Sequence, residues 1–332
     1  MDPHGTHEGI VSQLDKGLAL AEVYRASRIT RMQTLKELQE QSRWLLKHAS
    51  NVTSQFGEDG IIASALELLP ERNRWCIEFG AWDGKRYSNT YNLITAHGYR
   101  GVLIESDPIR FRDLQCTHDA QKNILINAAV GFTEKDSLET LLRGHPIPYD
   151  VDLLSIDIDG NDYHVWSAIY KLRPKLVVIE FNPTIANSVR FIQQPRRGVT
   201  HGSSAAAMTE LGRAKGYELI CAISCNLIFV DSCYFALFNI PDNSLAVMRD
   251  DSETPHLFFG YDGHIFLHGD TTLTWNPRVT LHESRIQVLP RRLQKYPDNY
   301  TGFERWLFRW WLRLRWGGSN SSKIKTALKD PT

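Results

Sequence analysis

The 332-residue chain has no apolar run near the roughly 18 residues that a membrane-spanning helix needs, so no spanning segment is expected. It has no excess of either charge. Lys plus Arg and Asp plus Glu each total 38, which removes the whole-chain basic field that draws proteins to nucleic acid. The opening residues, Met1-Asp-Pro-His-Gly-Thr-His-Glu8, lack a basic stretch followed by an apolar one, so no secretory leader and a cytoplasmic location are expected. Cysteine is scarce, with five residues, and no pair has the two-residue spacing of a zinc ribbon or finger. Cys76, Cys221, Cys225 and Cys233 fall in or near apolar runs and are expected as reduced thiols. Repeats and low-complexity tracts are also missing.

What is present is a 42% apolar content, enough for a substantial core, patterned in three stretches. Residues 1–49 read as a helical arm. Leu14, Leu18 and Ala21 share one helical face, and Ile29, Met32, Leu35 and Leu38 continue it, suiting a contact with the core or with a second copy of the chain. Residues 50–240 alternate short apolar runs with helical stretches. Trp75–Phe79, Gly101–Glu105, Ile124–Val130, Val151–Ile156 and Leu176–Phe181 are rich in Val, Ile and Leu and alternate poorly, as strands buried on both faces do. Helical patterns separate them at Asn89–His97, Ile109–Ala120, Ser137–Arg143 and Asp162–Leu172. A further helix, Ala205–Lys215, precedes strands at Tyr217–Ala222 and Leu227–Val230. This order predicts an α/β, Rossmann-like fold with a seven-stranded, mostly parallel sheet. Residues 241–332 read as an accessory extension, with a hairpin turning at Asp262-Gly263 and a helix over Phe303–Trp316.

The first strand runs into Gly80-Ala-Trp-Asp-Gly84, and the second ends in Glu105. A strand, a glycine turn and a carboxylate at the next strand's end make a pocket for an adenosine ligand in such folds. The turn is not Gly-x-Gly-x-x-Gly, and Asp83 would repel a pyrophosphate, which disfavours a dinucleotide. S-adenosylmethionine has no phosphate and carries two cationic groups, which Glu78, Asp83 and Asp157 suit; Glu105 is placed to accept both ribose hydroxyls. Each residue also has a plainer reading. Glu78 can be a buried acid satisfied by backbone N–H groups, Glu105 a helix cap, and Trp82 a plug on the sheet edge.

Six segments in order extend the pattern: Ser54-Gln-Phe-Gly-Glu-Asp-Gly60, Ile77-Glu-Phe-Gly-Ala-Trp-Asp-Gly84, Gly101-Val-Leu-Ile-Glu-Ser-Asp-Pro108, Asn127-Ala-Ala-Val-Gly131, Asp152-Leu-Leu-Ser-Ile-Asp-Ile-Asp-Gly160 and Val177-Val-Ile-Glu180. Over residues 54–230 the chain resembles the FkbM-type family of class I S-adenosylmethionine-dependent methyltransferases. Trp82 stands where that family commonly has Asn, and Asp159 where it often has Glu. The resemblance implies that Gly80 and Ala81 lie under the methionine part, that Asn127 and Ala128 edge the adenine, and that Gln55 closes over the methionine end. It implies O-methylation of a sugar or natural-product hydroxyl on a small-molecule acceptor.

Asp157, Asp159 and Asp162 follow the fourth predicted strand, and Glu180 and Asn182 the fifth. If these strands are neighbours, their oxygens converge as hard ligands for Mg²⁺, Mn²⁺ or Ca²⁺, with Asp157, Asp159, Glu180 and Asn182 as the ligand candidates. Such a cation would lower the pKa of an acceptor hydroxyl. The rival reading makes Asp157 a partner for the ammonium of S-adenosylmethionine and Asp159-Gly160 a simple turn. General-base candidates are His164, His201 in the loop Pro183–Ser204, and Asp159. Two rival functions stay open: a metal-dependent glycosyltransferase using Asp157-Ile-Asp159, and a non-catalytic scaffold. Methyl transfer to nitrogen or carbon is a third variant. The Phe303–Trp316 segment places Phe303, Trp306, Leu307, Trp310, Trp311 and Leu314 on one arc and Arg305, Arg309, Arg313 and Arg315 opposite. It suits peripheral membrane contact, packing on the protein, or dimerisation into a homo-oligomer.

Overall fold

The computed structural model describes residues 33–316. The chain divides into two compact units, residues 1–251 and 252–332, the boundary falling later than the change of texture in the sequence. Of the predicted N-terminal arm, residues 11–32 lie outside the described part, residues 33–42 are helical, and Trp44–His48 is a 3₁₀ turn.

The first unit is built on one seven-stranded sheet: β1 (Trp75–Phe79), β2 (Arg100–Glu105), β3 (Ile124–Asn127), β4 (Leu153–Ile156), β5 (Leu176–Glu180), β6 (Tyr217–Ile223) and β7 (Asn226–Asp231). Their order in space is β3-β2-β1-β4-β5-β7-β6. β1 to β5 are parallel, and β7 runs antiparallel to both β5 and β6. The β6–β7 turn holds Ser224 at φ +41° and folds β7 back between β5 and β6. This is a Rossmann-like arrangement, and the expected seven-stranded, mostly parallel sheet is observed.

The central strands are fully buried because helices cover both faces. β4 and β7 are buried along their whole length, and Ile77, Phe79, Val102, Ile104, Leu154 and Val177 form one core with Trp166 and Phe229. Among the helices of this unit are α1 (Glu58–Glu67), which precedes the sheet, and the connecting helices α2 (Tyr91–Ala96), α3 (Pro108–Thr117), α4 (Leu138–Leu141), α5 (Asp162–Ser167) and α6 (Ala205–Ala214). Asp107, Ser137 and Ser204 cap α3, α4 and α6 by accepting backbone N–H bonds, and Pro108 opens α3, where its missing donor costs nothing.

Two elements differ from the sequence pattern. α1 was not among the helical patterns read from periodicity, the one sign of it being Gln55 as an alternative helix start; Ile61, Ile62, Ala65 and Leu66 bury one face of it. β3 ends at Asn127 instead of Val130, because the chain leaves the sheet into a turn closed by Gly131 N–H on Asp136 O at 2.7 Å.

At the N-terminal edge of the sheet a buried ion pair ties three strands together. The Asp152 carboxylate, just before β4, accepts Asn73 N at 3.1 Å and Arg74 N at 2.8 Å, just before β1. Lys175, just before β5, donates its Nζ to Asp152 at 2.7 Å and to Glu71 O at 2.9 Å.

In the second unit, β8 (His256–Phe259) and β9 (Ile265–His268) form an antiparallel hairpin closed by a turn with Gly263 at φ +78°. Helix α7 (Gly302–Trp316) ends the described chain.

Candidate active site

A cleft of about 660 Å³ opens at the C-terminal ends of β1, β2, β4 and β5. It lies at the point where the strand order reverses, between β1 and β4, which is where open α/β sheets bind ligands.

The turn after β1 is shaped by close packing. Gly80 has φ +75°, and a Cβ there would lie 1.7 Å from Asp157 O, so only glycine lets β1 pass the exit of β4. Ala81 N then bonds Ile104 O at 3.2 Å, and Trp82 N bonds a Glu105 carboxylate oxygen at 2.9 Å. Trp82 is held at φ +48°, unusual for a bulky residue, and its ring lies 4.9 Å from the Arg110 guanidinium and 5.4 Å from that of Arg86. Asp83 does not point at a ligand. It caps the turn by accepting Lys85 N and Arg86 N.

The two strand-end glutamates do different work. Glu78 is buried and accepts from Ser88 Oγ at 2.6 Å, Asn89 N at 2.8 Å and Thr90 Oγ1 at 2.6 Å. Burial raises its pKa and these donors counter the rise. It borders the cleft, yet its hydrogen-bonding capacity goes mainly to the loop before α2. Glu105 also lines the cleft. One oxygen accepts Trp82 N and the other accepts Asp107 N at 2.7 Å, which fixes the carboxylate while lone pairs remain for a ligand diol. Ala128 and Gln55 line the cleft as well. Asn127 does not, because its amide turns back to donate to Glu105 O at 2.8 Å and so fastens β3 to β2.

Asp157, Asp159 and Glu180 converge, each offering an oxygen within 4.8 Å of the others. Asp157 and Asp159 are wetted by the cleft and Glu180 is half-buried, but the walls crowd them enough for burial to be the largest influence on two of them. Asp157 and Glu180 share a hydrogen bond. Burial first, and then the neighbouring acids, raise both pKa values, so that the pair retains a proton. Beneath them Asp162, buried in the first turn of α5, accepts Ile158 N and Gly160 N at 2.9 Å each. Burial and the Asp157 charge push its pKa up to about 7.

These acids bind more protons folded than unfolded between about pH 4, where a free aspartate titrates, and about pH 7. Their contribution to stability is therefore present in mild acid and is lost as pH rises. The thermal midpoint of the protein is expected to fall between pH 5.5 and 8, and Glu180→Gln, which mimics the protonated acid, is expected to flatten the decline. A midpoint that rises over this range in the wild type would contradict the reading.

The remaining expected residues lie off the cleft. His164 in α5 turns its Nε2 to Gln193 O at 2.8 Å and packs its ring beside Phe132 and Tyr163. His201 is exposed and outside the cleft wall, and its carbonyl accepts from Asn182 Nδ2 at 2.7 Å. Asn182 itself accepts Thr184 N and Oγ1, so it braces the loop after β5 and does not join the acids. As placed, neither histidine is within the wall where a general base would act.

Two residues that brace the loop beside the site, Gln193 and Arg249, were not singled out from the sequence. Gln193, 1% exposed, pins the loop between β5 and α6: its side chain donates to Asn161 Oδ1 and Val199 O and accepts His201 N and Gly202 N. Arg249 holds the same loop by donating to the carbonyls of Pro183 and Ile185, with its guanidinium 4.9 Å from the Phe181 ring. Arg197 lines the cleft and pairs with Asp136. Cys225 also lines the cleft, but burial and the charges of Glu180 and Asp157 push its thiol pKa up, so it is no thiolate nucleophile.

No protein-family model matches the chain, and no curated protein matches it in sequence. Among solved structures, the CurJ carbon methyltransferase matches with a TM-score of 0.34 and 10% identity, over 52% of this chain and 52% of that one. A SAM-dependent methyltransferase from Aquifex aeolicus matches with a TM-score of 0.31 and 10% identity, over 60% of this chain and 96% of that one. A pericyclic reaction enzyme matches with a TM-score of 0.34 and 12% identity, over 55% of this chain and 49% of that one. The chain thus spans about half the length of the first and third of these. Likenesses this distant carry no functional argument; the fold rests on the strand order above, and the function on the chemistry of the cleft.

Proposed function

We propose that the chain is an S-adenosylmethionine-dependent methyltransferase acting on a hydroxyl of a polar small molecule. The observation that carries this reading is the pairing of Gly80 and Glu105 on one cleft at the strand-order reversal. Gly80 lets the turn after β1 lie against Asp157 O at the cleft wall, where no Cβ fits, and Glu105 presents a carboxylate fixed by Trp82 N and Asp107 N at the end of β2. The residues fit the donor: Glu105 would accept its ribose hydroxyls, Ala128 would border its adenine, and the backbone at Gly80 and Ala81 would support its methionine part. When bound, S-adenosylmethionine supplies an electrophilic methyl group on a sulfonium. The acids on the cleft floor favour such a cation and would repel a diphosphate, which weighs against a nucleotide-sugar donor in the absence of a metal.

The protein's own task is to hold an acceptor oxygen about 3–3.5 Å from that methyl carbon and to take its proton. With His164 and His201 turned elsewhere, the group that does so is Asp159, wetted and beside the Asp157–Glu180 pair. Asp157, Asp159 and Glu180 would also hold a divalent cation such as Mg²⁺, which supplies Lewis acidity toward a coordinated hydroxyl. Arg86, Arg110 and Arg197 on the cleft wall suit a polar or anionic acceptor. The order of the motifs over residues 54–230 supports an FkbM-type affiliation.

Calorimetric titration with S-adenosylmethionine and S-adenosylhomocysteine tests the donor. Glu105→Ala is expected to weaken binding about 10–100-fold, the effect of losing hydrogen bonds to a charged group, with Glu105→Gln intermediate. No binding of either compound to the wild-type chain, alongside binding of a nucleotide-sugar with Mn²⁺, would replace this reading with the glycosyltransferase one. Cation assistance has its own check. Mg²⁺ or Mn²⁺ should raise the thermal midpoint more at pH 8, where fewer protons compete for the carboxylate oxygens, than at pH 5.5. An identical response in an Asp157→Asn/Glu180→Gln protein would refute it.

A further inference from the structure

Helix α7 carries a surface that the cleft does not use. Phe303, Trp306, Trp310 and Leu314 follow one another along one stripe and are 66%, 58%, 50% and 67% exposed. Arg305, Arg309 and Arg313 line one margin of that stripe at helical spacing and are exposed too. The opposite side is the one the unit covers: Leu307, Phe308, Trp311 and Leu312 are partly buried, and Phe308 stacks on Tyr300 at 5.7 Å. Glu304, the helix's acid, is taken up by Lys295 Nζ at 2.5 Å and by Thr301 N at 2.9 Å. The outward face is therefore apolar and aromatic with an uncompensated basic margin.

We propose that α7 docks this face on an anionic lipid bilayer, lying in the plane of the interface. Three observations select that occupant. Residues 285–316 hold eight Lys and Arg against two Asp and Glu, in a chain whose total charge is balanced, so basic charge is concentrated in the segment that carries the stripe. Anionic headgroups complement such a segment by about 1 kcal/mol per basic residue near the surface. Tryptophan has an apolar body and a polar N–H, which suits the boundary between headgroups and acyl chains. A two-fold contact between copies of α7 would bring the arginine margins of both copies to one interface with no free acid on the helix to answer them. None of the described helices is long and apolar enough to cross a membrane, which leaves an in-plane position for α7.

The test is flotation of the full-length protein with vesicles of phosphatidylcholine alone and of phosphatidylcholine with about a third phosphatidylserine, a composition with a strongly negative surface. The wild type is expected to float with the anionic vesicles and to be released by high salt. Arg309→Gln/Arg313→Gln is expected to lose about 10–30-fold in partitioning, the sum of two such basic contacts. Trp306→Ala/Trp310→Ala should lose binding while leaving the S-adenosylmethionine affinity and the thermal midpoint at wild-type values, which shows that the variants fold. Equal partitioning of wild type and both variants overturns the proposal. So does a wild type that ignores anionic vesicles but sediments as a dimer that the Trp306→Ala/Trp310→Ala substitutions dissociate, since the stripe would then be a contact between copies.

Discussion

Gly80→Ala is expected to destabilise the protein by more than about 4 kcal/mol and to abolish donor binding. Two separate costs add at this position. An alanine at φ +75° carries the left-handed penalty of about 1–2 kcal/mol. Its Cβ would also lie 1.7 Å from Asp157 O, a backbone atom that cannot swing aside as a flexible side chain can. The exits of β1 and β4 would have to separate, and the cleft is framed by those exits. Gly144→Ala is the control: φ is +87° there, with nothing within 4 Å, so only the backbone penalty applies. Denaturant unfolding of both variants separates the contributions. If Gly80→Ala proves no more destabilising than Gly144→Ala, the crowding between the two turns is not what the geometry says it is.

Lys175→Met is the second large effect, at about 3–5 kcal/mol. Lys175 and Asp152 side chains are 6% and 0% exposed, and among the described residues Lys175 Nζ is the one cation bonded to the Asp152 carboxylate. Removing it leaves an anion in the core with two backbone N–H partners from Asn73 and Arg74. A buried charge left this way costs far more than the pair contributes over an apolar replacement. The double variant Asp152→Asn/Lys175→Met is accordingly expected to recover part of the loss, and urea unfolding of the three proteins measures the coupling. The pair lies at the edge of the sheet away from the cleft, so donor affinity should survive in the folded fraction. A loss below about 1 kcal/mol in Lys175→Met would mean that water reaches Asp152.

The sheet was legible because its strands announce themselves chemically. Val-, Ile- and Leu-rich runs such as Leu153–Ile156 and Leu176–Glu180 need burial on both faces, and one fold supplies it for a β-α-β order. Gly80, Glu105 and the three acids were legible for a related reason: each lies at, or within three residues of, the C-terminal end of a strand, so the topology fixes its place. The histidines were not. His164 owes its orientation to the Gln193 carbonyl, 29 residues on, and no periodicity links the two. Asn127 ends a strand as Glu105 does, but its amide has a competing backbone acceptor beside it. Gln193 and Arg249 gave no signal either, since both act through backbone carbonyls and amides, which are the same in every sequence.

The Gln193 and Arg249 ties have a consequence for the order of events in catalysis. A segment that folds over its ligand must surrender conformational freedom at the moment of binding, and affinity falls accordingly. The stretch between β5 and α6 has already surrendered much of it, being fastened by one buried amide and one guanidinium. On the proposed reaction, the acceptor would meet a rim that is already ordered, and its arrival would not need to wait on the donor. Steady-state kinetics should then show random addition of the two substrates, where a closing loop would impose a fixed sequence.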